Sequence, residues 1–180
     1  MQEDSTRTSR PSLKFEDIVE EYYRPLYQFA FSLTHSKADA WDLVQQTFYI
    51  WRIKGDQLRQ PSKVRAWLFT TLHRAFLQGK RREIRFPQYE LDSVDSELPS
   101  VAPDAANRLD SAEVMVALDK IDEVFRAPLA LFYLEDYPYK EIALILQVPL
   151  GTVKSRIARG IAQLQRLLTV CDEPRELVNA

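Results

Sequence analysis

The side chains best suited to chemistry in this sequence are basic and hydroxylic, and they cluster near its carboxyl end. Residues 152–168 contain no acidic residue, and they include Lys154, Ser155, Arg156 and Arg159. Arginine and lysine can donate hydrogen bonds to the O6 and N7 atoms of guanine, and a serine hydroxyl can pair with either type of base. Side chains of these types, close together in the chain, favour a surface that contacts base edges in duplex DNA.

These side chains are predicted to lie on the second of two helices within Asp136–Leu168. Apolar residues recur three or four apart in both parts of this segment, at Ile142, Ala143 and Leu146 and then at Val153, Ile157, Ile161, Leu164 and Leu168. Pro149 lies between the two parts and suits the first turn of a helix, where its missing N–H is not needed. A helix, a tight turn and a basic amphipathic helix are typical of a helix-turn-helix, whose second helix enters the major groove. A solvated basic helix has the same periodicity, so the spacing alone leaves that alternative open.

A second basic stretch is predicted to be helical from Pro61 or Ser62 to about Arg82. Its core face is predicted to carry Val64, Trp67, Leu68, Thr71, Leu72 and Ala75. The opposite face carries Thr70, His73, Arg74, Leu77, Lys80 and Arg81, flanked by Phe69 and Phe76. Aromatic rings beside cations suit single-stranded DNA, because bases stack on the rings and phosphates pair with the cations. A pair of ordinary core aromatics is the alternative for the two phenylalanines.

A third face of interest is polar, and it lies on a helix predicted over residues 37–52 with Ser36 as its N-cap. Trp41, Val44, Phe48 and Trp51 form its predicted core stripe, because large aromatics are mostly buried. The other face carries Asp39, Asp42, Gln45, Gln46 and Tyr49. Upstream, a helical pattern begins at Leu13, and Pro25 predicts a kink or a break in it.

The distribution of charge is more informative than the total. A net charge of −2 and a pI near 5.8 would argue against nucleic-acid binding. However, basic residues cluster at 74–85 and 154–166, and acidic residues concentrate between these two clusters. Two basic patches with an acidic middle therefore predict a protein that contacts DNA at two places.

No enzymatic or metal site can be assembled from the sequence. The two histidines and the single Cys171 are too few for a metal site, and Gly151–Ser155 does not fit the phosphate-loop pattern. Neither a signal peptide nor an apolar run long enough for a bilayer is present. The sequence predicts a cytoplasmic protein that is not an enzyme, uses no cofactor and does not insert into a membrane.

The predicted fold is all-α, with two small helical domains joined by a flexible acidic linker. The boundaries are a disordered tail at 1–12, a first domain at 13–86, the linker at 87–106, a second domain at 107–169 and a carboxyl-terminal tail at 170–180. Helices predicted at 109–121 and 125–134 would support the helix-turn-helix, whose first helix is expected to be capped by Asp136 or Tyr137.

Three stretches resemble the sigma-70 family of bacterial RNA polymerase sigma factors. The string GTVKSR at 151–156 is similar to the start of the recognition helix in region 4. The string DAWDLVQQTFYIWR at 39–52 resembles region 2 of the extracytoplasmic-function (group 4) members, and VRAWLFTTLHRAFLQGKRR at 64–82 resembles the region 2 helix that reads and opens the −10 element. Both regions occur in the family's order.

The resemblance implies a factor that binds core RNA polymerase and directs promoter-specific initiation, with an anti-sigma factor as a further partner. The −35 element would be contacted by Thr152, Lys154, Ser155, Arg156, Ala158 and Arg159. The −10 element would be bound and melted by Leu58, Arg59, Gln60, Pro61, Ser62, Lys63, Phe69, His73, Arg74, Lys80 and Arg81. The β′ clamp of polymerase would be contacted by Asp39, Asp42, Gln45, Gln46 and Tyr49.

Two other functions remain open at the level of sequence. A repressor or activator that binds duplex DNA without polymerase would use the helix-turn-helix, but it would leave the polar face at 39–49 and the helix at 67–82 without a role. An anti-sigma protein or polymerase-sequestering adaptor would use only the first domain.

Overall fold

The computed structural model describes residues 14–58, 60–85, 118 and 120–171. Its helices are α1 (Phe15–Thr34), α2 (Lys37–Lys54), α3 (Val64–Arg85), α4 (Glu123–Tyr133), α5 (Tyr139–Leu146) and α6 (Leu150–Cys171), and single 3-10 turns at Gly55–Gln57 and Pro61–Lys63 connect α2 to α3. Every regular element in these ranges is helical, which confirms the all-α prediction. The predicted tail at 1–12, the linker at 87–106 and most of the helix at 109–121 lie outside the described residues.

Helices α1, α2 and α3 pack against one another and form the first unit. Its centre is aromatic, since the rings of Phe29 and Phe69 lie 5.4 Å apart and those of Trp51 and Trp67 lie 5.2 Å apart. The predicted N-cap is confirmed, because the Ser36 hydroxyl accepts a hydrogen bond from the Asp39 N–H at 3.3 Å.

Two predictions for this unit are wrong. The predicted break at Pro25 is absent, since α1 continues through it while Leu26 and Phe29 bury completely against the core, and the kink stays a prediction. Trp41 is not a core residue, since 44% of it is exposed and Ala40 takes the buried position instead. The buried stripe of α2 therefore runs through Ala40, Val44, Thr47, Phe48 and Trp51.

Helices α4, α5 and α6 form the second unit, which contains the predicted helix-turn-helix. Gln147 ends α5 with a left-handed φ of 56°, and the Pro149 carbonyl accepts hydrogen bonds from Thr152 and Val153 at the start of α6. The predicted cap of α5 is wrong. Pro138 occupies the cap position and makes no side-chain cap hydrogen bond, because its side chain has no polar atom, and Tyr137 is buried in the protein.

Gly160 lets α4 and α6 approach closely. A Cβ atom at this position would lie 2.5 Å from Leu129 Cδ1 and 3.0 Å from the Phe125 Cβ, so any larger residue would push the helices apart. This contact fixes the second helix of the motif on the rest of the unit.

The two units pack directly on each other, which no sequence pattern predicted. α1 contacts α4 and α3 contacts α5. Consequently, part of the face of α3 that was predicted to bind single-stranded DNA, including Phe69, lies against the second unit.

Candidate DNA and polymerase interfaces

The polar face of α2 is open to solvent. Asp39, Asp42, Gln45, Gln46 and Tyr49 are all exposed, and Tyr49 is 67% exposed. A shallow groove between α1 and α2 borders this face and contains the exposed rings of Tyr23 and Trp41. Exposed aromatics beside polar groups are typical of protein-binding surfaces.

The segment before α3, at residues 58–63, is also accessible to solvent. Gln60, Pro61, Ser62 and Lys63 are exposed and Leu58 is half-buried, while Arg59 lies outside the described residues. Further along α3, Arg74 and Arg81 are exposed and Lys80 is half-buried. The cations predicted to contact the −10 strand thus lie at or near the surface.

Phe69 and His73, from the same predicted set, are buried. Phe69 is completely buried between the ring of Phe29, at 5.4 Å, and the ring of Tyr137 from the second unit, at 5.5 Å. Burial and, to a smaller extent, the nearby charge of Arg156 together lower the pKa of His73 to about 4, so the ring is neutral at pH 7. In this arrangement neither side chain can reach DNA, and their predicted role requires the second unit to move away.

On α6 the predicted −35 residues divide into two groups. Lys154, Ser155, Ala158 and Arg159 are exposed, whereas Thr152 and Arg156 are half-buried. The Ser155 hydroxyl donates a hydrogen bond to the Thr152 carbonyl at 3.0 Å. The charge of Arg156 acts on His73, which indicates that this arginine lies beside the first unit.

Sequence reasoning missed the residues that join the two units. Arg65 of α3 donates hydrogen bonds to the carbonyl oxygen of Glu135 at 2.7 Å and to its carboxylate at 3.0 Å. The guanidinium also lies 4.5 Å from the centre of the Tyr137 ring. These partners are about 70 residues apart, so no local pattern could have linked them.

Two further polar contacts cross between the units. Arg74 Nε donates a hydrogen bond to Gln147 Oε1 at 3.3 Å, so a predicted −10 residue touches the turn of the helix-turn-helix. Lys80 lies 3.9 Å from the carboxylate of Glu123, and both side chains are about half exposed.

Within the described ranges no helix is long and apolar enough to cross a bilayer. The same part of the chain contains no group of three or more His, Cys, Asp or Glu side chains placed to hold a metal ion.

Comparison with known proteins matches both units. The family model for sigma-70 region 2 matches residues 18–86, and the model for sigma-70 region 4 matches residues 111–164. The chain is 32% identical to the ECF RNA polymerase sigma factor EcfG of Rhodopseudomonas palustris, over 81% of this chain and 80% of that protein. It is 28% identical to the ECF sigma factor SigM of Bacillus subtilis, over 86% of this chain and 95% of that protein.

A longer relative and a solved structure extend the match. The ECF sigma factor SigE of Mycolicibacterium smegmatis is 32% identical over 92% of this chain, which spans 65% of that relative's length. The sigma factor RpoE of Bartonella quintana, solved with the anti-sigma factor NepR, superposes with a TM-score of 0.65 at 31% identity. That match covers 88% of this chain and 99% of the solved chain. The chain therefore belongs to the sigma-70 family, in its extracytoplasmic-function (ECF) group, whose members direct RNA polymerase to promoters.

Proposed function

We propose that this chain binds core RNA polymerase through α2 and delivers it to promoters that its two units read at separate elements. The observation that supports this most strongly is the presence of both sigma modules in one chain, in the family's order. A regulator that acts on duplex DNA alone would need only the second unit, and it would leave the exposed face of α2 without a role.

The clamp of the β′ subunit would bind Asp39, Asp42, Gln45, Gln46 and Tyr49. All five side chains are already exposed on one helix, so the surface needs no rearrangement before polymerase binds. Trp41 and Tyr23 in the adjacent groove would add apolar area to this contact.

The two units would each contact one promoter element. The exposed side chains of α6 would read the −35 major groove, where arginine and lysine recognise guanine. The segment before α3 and the basic face of α3 would bind the −10 strand. Phe69 would serve as a stacking platform once it is uncovered. Joining two weak readers in one chain makes the second binding event intramolecular, which raises the overall affinity.

We place the boundaries of the two functional units at 13–86 and 107–169, with the acidic segment 87–106 between them. The family matches at 18–86 and 111–164 support this division. We also propose that the chain works in the cytoplasm, without enzymatic activity of its own, and that an anti-sigma factor controls it. The solved relative RpoE of Bartonella quintana was captured with the anti-sigma factor NepR, and CnrH was captured with the cytosolic domain of CnrY.

Run-off transcription with purified core polymerase tests this function. Core enzyme supplemented with this chain should initiate at a defined promoter start, which core alone cannot do. DNA binding by the free chain, without any initiation by the supplemented polymerase, would instead support the duplex-binding regulator.

A further inference from the structure

Helix α3 has two sides that differ in what covers them. With 3.6 residues per turn, side chains seven positions apart lie on the same side of a helix, and side chains two positions apart point in nearly opposite directions. Trp67, Arg74 and Arg81 therefore share one side, which we call the open side, and Phe69 points the other way. Tyr137 of the second unit packs against Phe69, so we call that side the covered side.

The cations of α3 divide between these two sides. Lys80 belongs to the covered side, as does buried His73, and its ammonium group lies 3.9 Å from the carboxylate of Glu123 in the second unit. On the open side Arg74 stays exposed, although its Nε donates a hydrogen bond to Gln147. The guanidinium groups that solvent can reach are therefore on the side that carries Trp67.

Trp67 is the aromatic residue of the open side. Its spacing predicted a position on the core face, but it is half-buried in the structure, whereas Phe69 is completely buried. Its ring meets the ring of Trp51 edge-on at 5.2 Å, and Trp51 is itself buried in the core. A ring that the core holds in place while part of it faces solvent loses little freedom when it binds a flat ligand.

Only short side chains, those of Thr70 and Thr71, lie between Trp67 and Arg74 on the open side of α3. Each hydroxyl donates a hydrogen bond of 2.8 Å to the carbonyl oxygen four residues earlier in the same helix. These hydroxyls are therefore already paired within the helix. At 1.5 Å per residue, Trp67 and Arg74 are about 10 Å apart along the helix axis, a length that a few nucleotides of a single strand can span.

The charge of this stretch matches a nucleic acid. Residues 57–82 contain seven lysines and arginines and no acidic residue. Lys63, four residues before Trp67, is exposed, as is Arg74 seven residues after it. A ring with a cation on each side suits a strand of unpaired nucleotides, because a base can stack on the ring while the neighbouring phosphates pair with the cations.

We propose that Trp67 stacks on an unpaired base of single-stranded DNA, while Lys63 and Arg74 bind the phosphates beside that base. The ring is accessible while the two units are packed together, so this site is separate from Phe69, which must first be uncovered. The inference rests on the proposed function, since it names a residue that would hold one base of the −10 strand.

The main test separates stacking from charge. A fluorescein-labelled oligo(dT) strand of about 12 nucleotides is compared with a strand of the same length and charge that lacks bases. The parent chain should bind oligo(dT) on the order of tenfold more tightly, since one stacked base contributes roughly that factor. Trp67→Leu, which keeps an apolar side chain but has no aromatic face, should bind the two strands equally, and Trp67→Phe should keep most of the preference.

Tyr133→Ala is the matched control. It removes an aromatic ring that is 47% exposed on α4, away from the open side of α3. This variant should keep the full preference for oligo(dT), because a general loss of surface aromatics is not what the strand detects.

The emission of Trp67 shows whether its ring touches a base. The chain has three tryptophans, so Trp41→Phe/Trp51→Phe leaves Trp67 as the only one. Oligo(dT) should quench this emission and the strand without bases should not. Trp51→Phe/Trp67→Phe leaves Trp41 on α2, whose emission should respond to neither strand. A purely structural role for Trp67 would give no quenching that depends on bases.

Three results would overturn the proposal: a parent chain without preference for oligo(dT), an unchanged preference in Trp67→Leu, or Trp67 emission that responds equally to both strands. If circular dichroism shows that Trp67→Leu does not fold, the emission of Trp67 in the Trp41→Phe/Trp51→Phe chain decides the question, because that chain keeps the ring under test. Run-off transcription separates this proposal from the proposed function. An active factor whose preference ignores Trp67 loses only the stacking site, whereas a chain that stacks on oligo(dT) but never initiates loses the sigma function.

Discussion

The α2 face and the DNA faces of this chain differ in how accessible they are. The predicted clamp residues Asp39, Asp42, Gln45, Gln46 and Tyr49 are all exposed, whereas the predicted DNA residues divide. Cations such as Arg74 and Arg159 are exposed, but Phe69 and His73 are buried. The difference lies in the aromatic part of the predicted −10 face, which the second unit covers, while the basic groups on both units remain accessible.

The largest expected effect concerns the accessible face. Asp42→Arg should weaken binding to core polymerase by about thirtyfold or more, because losing one side of an interfacial charge pair typically costs 2 kcal/mol or more. Asp42 is exposed, so the distance between the two units should not change. Fluorescence titration against labelled core enzyme measures the affinity.

Lys37→Glu is the matched control, since Lys37 is exposed on the same helix but outside the predicted face. Equal losses in the two variants would show that net charge, rather than the Asp39–Tyr49 face, controls binding.

The next effect concerns the predicted −35 residues on α6. Arg156→Ala should reduce −35-dependent run-off transcription by about tenfold, within the 1–3 kcal/mol typical of one base contact. Binding to core polymerase should be unchanged, because α2 carries that contact. Arg166→Ala, further along α6 and exposed, should have a much smaller effect. A loss of polymerase binding in Arg156→Ala would contradict the division of roles between the two units.

A smaller effect tests the close packing of α4 against α6 within the second unit. Gly160→Ala should lower the free energy of unfolding by about 1–3 kcal/mol, because its Cβ would collide with Leu129 and Phe125. Urea denaturation followed by circular dichroism measures the change. Gly79→Ala, whose Cβ would meet nothing within 4 Å, should be neutral or slightly stabilising. Equal behaviour of the two alanine variants would rule out close packing between α4 and α6.

The smallest effect is the pH dependence of the closed packing between the two units. Burial raises the pKa of Glu135 to about 7, although Arg65 opposes the rise and Asp136 adds to it. Its contribution to closure is therefore complete below its ordinary pKa of 4.5 and is lost as the pH rises through about 7. The lowered pKa of His73 acts in the opposite direction, since closure weakens as the pH falls from 6.5 toward 4.

Between about pH 4.5 and 6.5 these two effects oppose each other, so the distance between spin labels placed on Lys37 of α2 and Lys140 of α5 should change little in the parent chain. Glu135→Gln removes one of them. The closed population of this variant should grow as the pH is raised through the same interval, by at most about tenfold per pH unit for a single proton. If the closed population of Glu135→Gln did not change with pH, His73 would not become exposed when the two units separate.

Much of the fold could be predicted because burial on a helix repeats with a fixed period. The stripes through Val44, Phe48 and Trp51 and through Val153 and Ile157 are buried as their spacing indicated. The helical spacing failed to predict that Trp41 is exposed, because the adjacent Ala40 occupies the buried position on α2. The packed helices bury the smaller residue and leave the larger one at the surface.

The candidate interfaces were predictable to a similar extent. Residue types and spacing indicated which faces of α2, α3 and α6 carry polar and basic groups, and those faces exist. Sequence could not indicate which of them are covered. The residues adjacent to Phe69 in the chain are the same whether it is a stacking platform or a core residue. In the structure the ring of Tyr137, from the other unit, covers it.

By itself, then, the sequence determined the helices, their polar and apolar faces and the two sigma regions, because these depend on residues a few positions apart. Only the tertiary structure decided that the two units lie against each other and that Tyr137 covers Phe69. Arg65 and Glu135 are about 70 residues apart, and their pairing depends on the shapes of two assembled units. The periodicity of residues a few positions apart therefore cannot predict such a contact.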